Sequence, residues 1–156
     1  NTHNVRSSPV SDTGKSFQRS VVRGDGRCLF RSVARARAVA RGKAVPSERA
    51  ERDTADELRH RAVVELKRNK ELLQQFYVIE ADFESYAKRM SSPRTFGGEP
   101  ELLMLAKIIH APIGVYICVK GRYKQIQVYG RQYRGEPIRI LYSDGVHYDA
   151  LLEIGS

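Results

Sequence analysis

The sequence predicts an α+β domain whose helices precede its sheet along the chain. Apolar residues recur at helical spacing from Cys28 to His110, and after Pro112 they follow the two-residue period of β-strands. No strand-helix-strand alternation and no internal repeat interrupts this order. We therefore expect a mostly antiparallel central sheet that is covered by helices.

Five helical segments and up to four strands carry this prediction. Ser47 is a favoured N-cap for the longest helix, and Gly97-Gly98 precedes the strongly apolar last helix. The helices are expected at residues 28–41, 48–69, 71–76, 80–90 and 99–110. The strands are expected at residues 113–119, 123–129, 138–142 and 146–154. Cys118 falls within the apolar first strand, so we expect it to be buried.

The length indicates one domain with one core, since 156 residues can bury a sizeable apolar interior. Residues 1–15 are polar and lack periodicity, which predicts a disordered linker, and residues 16–156 form the expected single domain. The sequence opens without Met, so we interpret it as an excised fragment in which an upstream targeting segment would not be visible. We expect a monomer.

Composition argues against several classes of protein. The chain is 41% hydrophobic and 29% charged, and no apolar run approaches the roughly 20 residues that span a bilayer. Its two cysteines, Cys28 and Cys118, exclude a disulfide framework and favour a reducing compartment, the cytoplasm or the nucleus. No cluster of residues has zinc-ligand spacing.

The formal net charge of +9 raises nucleic acid as a partner. Acidic residues are nevertheless interspersed with the basic residues between Arg31 and Lys70, as on solvated helices with ion pairs three or four residues apart. The chain shows no nucleic-acid-binding motif and no aromatic platform. The distribution therefore favours a solvated helix surface over a nucleic-acid footprint.

Cys28 has the sequence setting of a nucleophile. It follows the glycine-containing segment Gly24-Asp25-Gly26-Arg27 and opens the first predicted helix. A helix N-terminus stabilises a thiolate, so we expect a lowered pKa for this thiol. The backbone N–H groups of residues 25–28 are candidate donors to the oxyanion of a tetrahedral intermediate.

His147 is the candidate general base, because it lies in a turn at the head of the last strand and is free to point into a cleft. Asp149 follows two residues later, on the same side of a strand, where its carboxylate can orient the imidazole. Each residue taken alone has a plainer interpretation. Cys28 can be a small buried apolar residue, His147 a turn residue, and Asp149 a surface charge; the combination favours catalysis.

Three segments resemble the ovarian-tumour (OTU) family of cysteine proteases. Asp25-Gly26-Arg27-Cys28-Leu29-Phe30 resembles the nucleophile motif, and Val146-His147-Tyr148-Asp149 resembles the closing motif. Between them, Phe96-Gly-Gly-Glu-Pro-Glu-Leu-Leu-Met-Leu-Ala106 is similar to the family's Trp-Gly-Gly helix, with Phe in place of Trp. The resemblance spans roughly residues 17 to 154 and looks most like plant members.

The resemblance implies a papain-like fold with helices on both sides of the sheet and a Cys28-His147-Asp149 triad. It also implies that Asp25 shapes the oxyanion loop through its backbone, and that the reaction is hydrolysis of the isopeptide bond between ubiquitin and lysine. Ubiquitin or polyubiquitin is then the expected partner, and another ubiquitin-like modifier is an alternative. The resemblance implies neither a metal ion nor an organic cofactor, and no membrane partner is expected.

The basic tail of ubiquitin requires local acidic residues on a domain of this charge. The candidates are Glu80, Asp82, Glu84 and Glu99, although each can equally be an ordinary solvated helix charge. Two further functions stay open at this point. The chain can be a non-catalytic module that binds ubiquitin or RNA, or a papain-like protease that acts on another modifier.

Overall fold

The computed structural model of the chain describes residues 14–76 and 82–154. Most of the predicted linker, residues 1–13, and the candidate Glu80 lie outside the described residues. None of the helices in the described ranges combines the length and the apolar composition that a bilayer-spanning helix requires.

The helices and strands follow the predicted order, and the described residues add one strand near the start. The helices are α1 (Cys28–Ala40), α2 (Glu48–Arg68), α3 (Lys70–Phe76), α4 (Phe83–Met90) and α5 (Glu99–Ile109). The strands are β1 (Phe17–Ser20), β2 (Ile113–Val119), β3 (Arg122–Tyr129), β4 (Ile138–Ser143) and β5 (His147–Glu153). Ser47 caps α2 as predicted, because its side chain accepts a hydrogen bond from the Ala50 N–H at 3.2 Å.

The strands form one sheet in the order β1-β5-β4-β2-β3. Three neighbouring pairs are antiparallel, and β2 and β4 are parallel. The α+β class and the mostly antiparallel sheet are thus confirmed, with one parallel pair that the sequence did not predict. It arises because the segment 130–137 carries the chain from β3 back past β2, so that β4 starts on the other side of β2 and runs in its direction.

The helices pack together on one face of the sheet. Leu29 and Val33 of α1 are fully buried there with Ile113, Ile140 and Ala150 of the strands. The opposite face carries a smaller cluster without any helical residue: Phe17, Tyr116, Tyr123, Leu141 and Leu151. In residues 14–76 and 82–154 the helical core therefore lies on one face, whereas helices were expected on both. On this second face the long side chain of Arg139 covers part of the cluster, because its guanidinium carbon lies 4.8 Å from the centre of the Phe17 ring.

Cys118 is exposed, so its predicted burial is wrong. Burial decreases along β2, from four buried residues at its start to two exposed residues at its end. The end of the hairpin formed by β2 and β3 projects beyond the helices that cover the start of β2. The apolar sequence of this strand therefore does not place all of it in the core.

Most of the ion pairs of α1 are made with α2 rather than within one helix. This differs from the expected pairs at three- or four-residue spacing, of which Arg68–Glu65 is one. The pairs that α1 and its N-cap Arg27 make with α2 are Arg27–Asp56 (2.7 Å), Arg31–Glu48 (3.1 Å), Arg31–Glu51 (3.6 Å) and Arg35–Glu51 (2.6 Å). They form because α2 packs alongside α1 with its acidic residues facing the α1 arginines.

Glu101 is a fully buried carboxyl group that ties the start of α5 to α4. Its Oε1 accepts the Gly98 N–H at 2.7 Å and its Oε2 accepts the Tyr86 hydroxyl at 2.5 Å. Burial raises the pKa of Glu101 above its usual range, and these two hydrogen bonds only partly offset the effect.

We expect Glu101→Gln to change how stability depends on pH. Because the pKa of Glu101 is higher in the folded than in the unfolded chain, the folded chain binds more protons between the two values, and its stability falls as pH rises through that range. Glutamine carries no charge, and its amide oxygen can accept the Gly98 N–H while its amide N–H donates to the Tyr86 hydroxyl oxygen. Urea unfolding at about pH 5 and about pH 7.5 should therefore show a smaller loss of stability in this variant. An equal loss in Glu101→Gln and in the exposed control Glu84→Gln would contradict the assignment.

Candidate active site

The fold brings the start of α1 next to the start of β5. Cys28 is the first residue of α1 and His147 the first of β5, and the two elements pack along each other. The Cys28 Sγ donates a hydrogen bond to the Val146 carbonyl at 3.7 Å, so the thiol contacts the residue that precedes His147. Two residues that lie 119 positions apart in sequence numbering, 28 and 147, therefore reach one site.

His147 is oriented by Asp149, as the strand spacing predicted. The His147 Nε2 lies 2.7 Å from Asp149 Oδ1. An ionised carboxylate only accepts, so Nε2 carries the proton and Nδ1 keeps its lone pair. That Nδ1 faces the loop before Cys28, since a Cβ built on Gly24 would lie only 3.8 Å from it. The free nitrogen of the ring is thus directed toward the segment that carries the thiol.

Asp149 is itself held by two groups that sequence reasoning missed. It is completely buried, and it accepts the Arg19 Nε–H at 2.7 Å and the Val22 N–H at 2.9 Å. Arg19 lies on β1, which pairs with β5, and its side chain points to the same face of the sheet as that of Asp149. Recognising the role of Arg19 would have required knowing that β1 pairs with β5, for which the sequence offers no local signal.

The thiol of Cys28 does not have the lowered pKa that its helix position predicted. Its side chain is 1% exposed, and burial raises its pKa above the usual value. The backbone groups of Tyr148 and Leu29 favour the thiolate, but they do not overcome the loss of hydration. The negative charges of Asp25 and Asp149 disfavour it further. The resting thiol is therefore neutral, and it needs a base.

The predicted oxyanion loop is ordered by internal hydrogen bonds. The Asp25 side chain accepts the Arg27 N–H at 3.0 Å, and the Asp25 carbonyl accepts the Cys28 N–H at 3.1 Å. Asp25 therefore shapes the loop through its side chain as well as its backbone. The Arg31 Nη2 also lies 3.3 Å from Asp25 Oδ2. The Gly26 N–H makes no hydrogen bond within residues 14–76 and 82–154.

A groove of about 470 Å³ runs beside Val146 and Tyr148. Its walls include Phe96 from the loop before α5 and Glu99 from the start of α5, and the Tyr129 hydroxyl donates to Glu99 Oε1 at 2.8 Å. Among the acidic candidates, Glu99 thus lies at the groove. Asp82 and Glu84 lie at the start of α4, outside the groove lining, and the Asp82 carboxylate caps that helix by accepting from the Glu84 N–H and the Ser85 hydroxyl.

The described part of the chain offers no metal centre, since it holds no group of three or more His, Cys, Asp or Glu side chains that could bind an ion. The chemistry that its residues can perform at this site is nucleophilic attack by a thiol with an imidazole as base.

Comparisons with known proteins agree with this geometry. The family of OTU-like cysteine proteases matches residues 23–150. The chain is 42% identical over 132 residues to the OVARIAN TUMOR DOMAIN-containing deubiquitinating enzyme 4 of Arabidopsis thaliana, an alignment that covers 83% of this chain and 41% of that protein. It is 34% identical over 169 residues to deubiquitinating enzyme 3 of the same plant, covering 92% of this chain and 71% of the relative.

A solved structure of an OTU domain in complex with ubiquitin has the same fold. It superposes with a TM-score of 0.65 at 19% identity and covers 96% of this chain and 78% of that one. The chain spans well under half of the length of the first plant relative.

The contact between Arg19 and Asp149 predicts an interaction between two substitutions. Arg19→Ala should slow the acylation of Cys28 by p-nitrophenyl acetate about 3- to 10-fold, because Asp149 loses a charge-assisted hydrogen bond that fixes it. In Asp149→Asn the amide nitrogen would face Arg19, so removing Arg19 in that background should cause no further loss. Release of p-nitrophenolate measures both rates, and an equal slowing by Arg19→Ala in both backgrounds would refute the contact's role.

The burial of Cys28 predicts a shifted pH profile. In the single-thiol variant Cys118→Ser, alkylation of Cys28 by iodoacetamide should rise with pH to a midpoint above that of free N-acetylcysteine, because only the thiolate reacts and burial disfavours it. Stopped reactions followed by mass spectrometry at a series of pH values give the midpoint. A midpoint below that of the free thiol would instead indicate a thiolate already stabilised by a protonated His147.

Proposed function

Because the chain belongs to the OTU family of cysteine proteases, we propose that it is a deubiquitinase, a thiol-dependent isopeptidase that cleaves ubiquitin from lysine side chains or from polyubiquitin. The observation that carries the proposal is the buried Asp149 carboxylate 2.7 Å from His147 Nε2, beside a helix N-terminus that bears Cys28. The plant relatives that are named deubiquitinating enzymes, and the OTU domain solved with ubiquitin, support the choice of substrate.

The proposed reaction is acyl transfer to water in two steps. His147 Nδ1 takes the proton of the Cys28 thiol as the sulfur bonds to the carbonyl carbon of the isopeptide, and the carbonyl oxygen becomes an oxyanion near the 25–28 loop. When the intermediate collapses, His147 gives that proton to the leaving lysine amine and a thioester remains on Cys28. Water then attacks the thioester with His147 again as base, which releases the ubiquitin carboxylate and restores the thiol.

The groove beside Val146 is the proposed path of the ubiquitin tail. An extended tail ending at Cys28 would pass the exposed side chains of Phe96 and Val146, and the carboxylate of Glu99 would face its positive charge. Roles for Glu80 and Glu84 in holding the body of ubiquitin stay proposals. The carboxylate of Asp82 already caps α4, which leaves less of its charge for a partner.

The setting of the enzyme is proposed on the same basis. Cys28 and Cys118 are both free, which suits a reducing compartment such as the cytoplasm or the nucleus. We propose a monomer with no cofactor. Another ubiquitin-like modifier in place of ubiquitin is the alternative substrate, because one groove with an acidic wall suits any basic extended tail.

The test is incubation with ubiquitin that carries a thiol-reactive group at its C-terminus. We expect one covalent adduct in the native chain, none in Cys28→Ala, and formation slowed about 100-fold or more in His147→Ala, because the neutral buried thiol needs its base. Two matched controls should react like the native chain. They are Cys118→Ala, which removes the other thiol, and His60→Ala, which removes an exposed histidine of α2.

Adduct formation that persists in Cys28→Ala and disappears in Cys118→Ala would overturn the assignment of the nucleophile. A folded native chain that forms no adduct with ubiquitin but forms one with another modifier would move the proposal to that modifier. A folded chain that binds ubiquitin without reacting would indicate the non-catalytic module.

A further inference from the structure

Arg59 is a buried cation whose hydrogen-bond acceptors are all uncharged. It lies on α2 and is 3% exposed. Its Nη1 donates to the Met90 carbonyl at 3.0 Å, and its Nη2 donates to the carbonyls of Gly26 at 2.7 Å and Pro93 at 3.3 Å. Its guanidinium carbon lies 4.4 Å from the centre of the Phe30 ring. Arg59 therefore joins α2, the end of α4 and the loop that precedes Cys28.

Burial of such a residue lowers the stability of the fold more than an apolar residue would. Burying a charge with no carboxylate in hydrogen-bond contact loses hydration that backbone carbonyls and the more distant charges of Asp56, Glu101 and Asp25 only partly replace. An apolar side chain of similar volume usually fills such a position at less cost. The Arg59 Nε is also buried without a hydrogen bond in the part of the chain that the structure describes. The arrangement thus indicates a role that depends on the directed N–H groups of the guanidinium.

Gly26 packs against the same turn that Arg59 binds. A Cβ on Gly26 would lie 2.4 Å from the Arg94 carbonyl carbon and 2.6 Å from the Pro93 oxygen, so the two backbones touch. Because the Nη2 of Arg59 donates to both Gly26 and Pro93, it bridges this contact. The loop before Cys28 is therefore held against the 93–94 turn at one defined distance.

Holding the Gly26 carbonyl also sets the direction of the neighbouring N–H groups. The Gly26 carbonyl and the Arg27 N–H belong to one planar peptide unit and point in opposite directions. While Arg59 binds the carbonyl, the Arg27 N–H points to Asp25 Oδ1, 3.0 Å away. Rotation of this unit by half a turn would break both hydrogen bonds and turn its carbonyl oxygen toward the Asp25 carboxylate. The Gly26 N–H donates to no group in residues 14–76 and 82–154, and its position depends on the same contact with Arg59.

We propose that Arg59 is a positioning residue that holds Gly26 so that its N–H, the one N–H of residues 25–28 without a partner in the described residues, faces the oxyanion that forms beside Cys28. The inference deepens the proposed function, because it concerns the acyl-transfer step of that reaction. It does not depend on ubiquitin as the substrate. Any acyl donor that reacts with Cys28 forms a tetrahedral oxyanion at the same place.

The test compares two reactions of the same thiol in the Cys118→Ser background. Acylation by p-nitrophenyl acetate forms a sulfur–carbonyl bond through an oxyanion and releases p-nitrophenolate, whereas alkylation by iodoacetamide displaces iodide and forms none. Both reagents must reach the same buried sulfur, so the ratio of the two rates removes differences in access and in thiol pKa. Cys28→Ala provides the blank for both.

In Arg59→Met the acylation rate should fall about 10- to 100-fold, the size expected for loss of oxyanion stabilisation, while alkylation stays within about 3-fold. Arg59→Lys keeps one donor for the Gly26 carbonyl, so its acylation rate should lie between those of the native chain and Arg59→Met. Arg61→Met removes an exposed arginine of the same helix and should leave the ratio unchanged. The ubiquitin probe judges the proposed function separately, because neither small reagent contains ubiquitin.

An unchanged ratio in folded Arg59→Met, or a parallel fall of both rates, would overturn the inference, since a merely structural residue would affect both reactions alike. If circular dichroism shows that Arg59→Met is unfolded, Arg59→Lys decides. A folded lysine variant with a lowered ratio supports the proposal, and one with the native ratio refutes it.

Discussion

The buried carboxylate of Asp149 is the contact on which the rest of the site depends. It accepts from three groups: Arg19 on β1, the Val22 N–H of the loop before α1, and His147 on β5. The first two lie more than 120 residues before Asp149 in the sequence. A fully buried carboxylate is stable only when its oxygens accept hydrogen bonds. Moving any of the three donors away would leave the buried charge poorly compensated, so all three are held in place around it. One charge thus orients the candidate base and anchors the chain that leads to the candidate nucleophile.

The opposite side of that loop is anchored by one face of α2. Its anchoring residues are spaced by three, five and three positions, which places them on one side of the helix: Glu48, Glu51, Asp56 and Arg59. Glu51 binds Arg35, whose guanidinium also donates to the Ser20 hydroxyl and the Val21 carbonyl. Several of the arginines that raised nucleic acid as a partner, Arg27, Arg31 and Arg35, instead form ion pairs with this face of α2. They bind the loop to the body of the domain.

Local patterns predicted the elements, and they could not predict the contacts between distant ones. The glycine loop before Cys28 and the two-residue spacing of His147 and Asp149 are visible in the sequence, because each depends only on neighbours along the chain. Arg19 lies 130 residues from Asp149, and its role depends on the pairing of β1 with β5. The parallel pairing of β2 with β4 and the bond of Arg59 to Gly26 likewise depend on how separate segments pack. The exposure of Cys118 depends on which part of β2 the helices cover.

The raised pKa of Cys28 could not be predicted from local sequence either, because it depends on how deeply the fold buries the thiol. It changes the chemistry expected of the site. The helix N-terminus and two backbone groups favour the thiolate, while burial under the Val146 carbonyl opposes it and prevails. A neutral thiol has no thiolate–imidazolium ion pair ready for attack, so the proton must move as the sulfur–carbon bond forms. More of the barrier must then be lowered at the oxyanion, where correctly oriented N–H groups act without reorganisation. A site that keeps its nucleophile neutral therefore depends more strongly on a rigid loop, which the buried contacts of Asp149 on one side and Arg59 on the other provide.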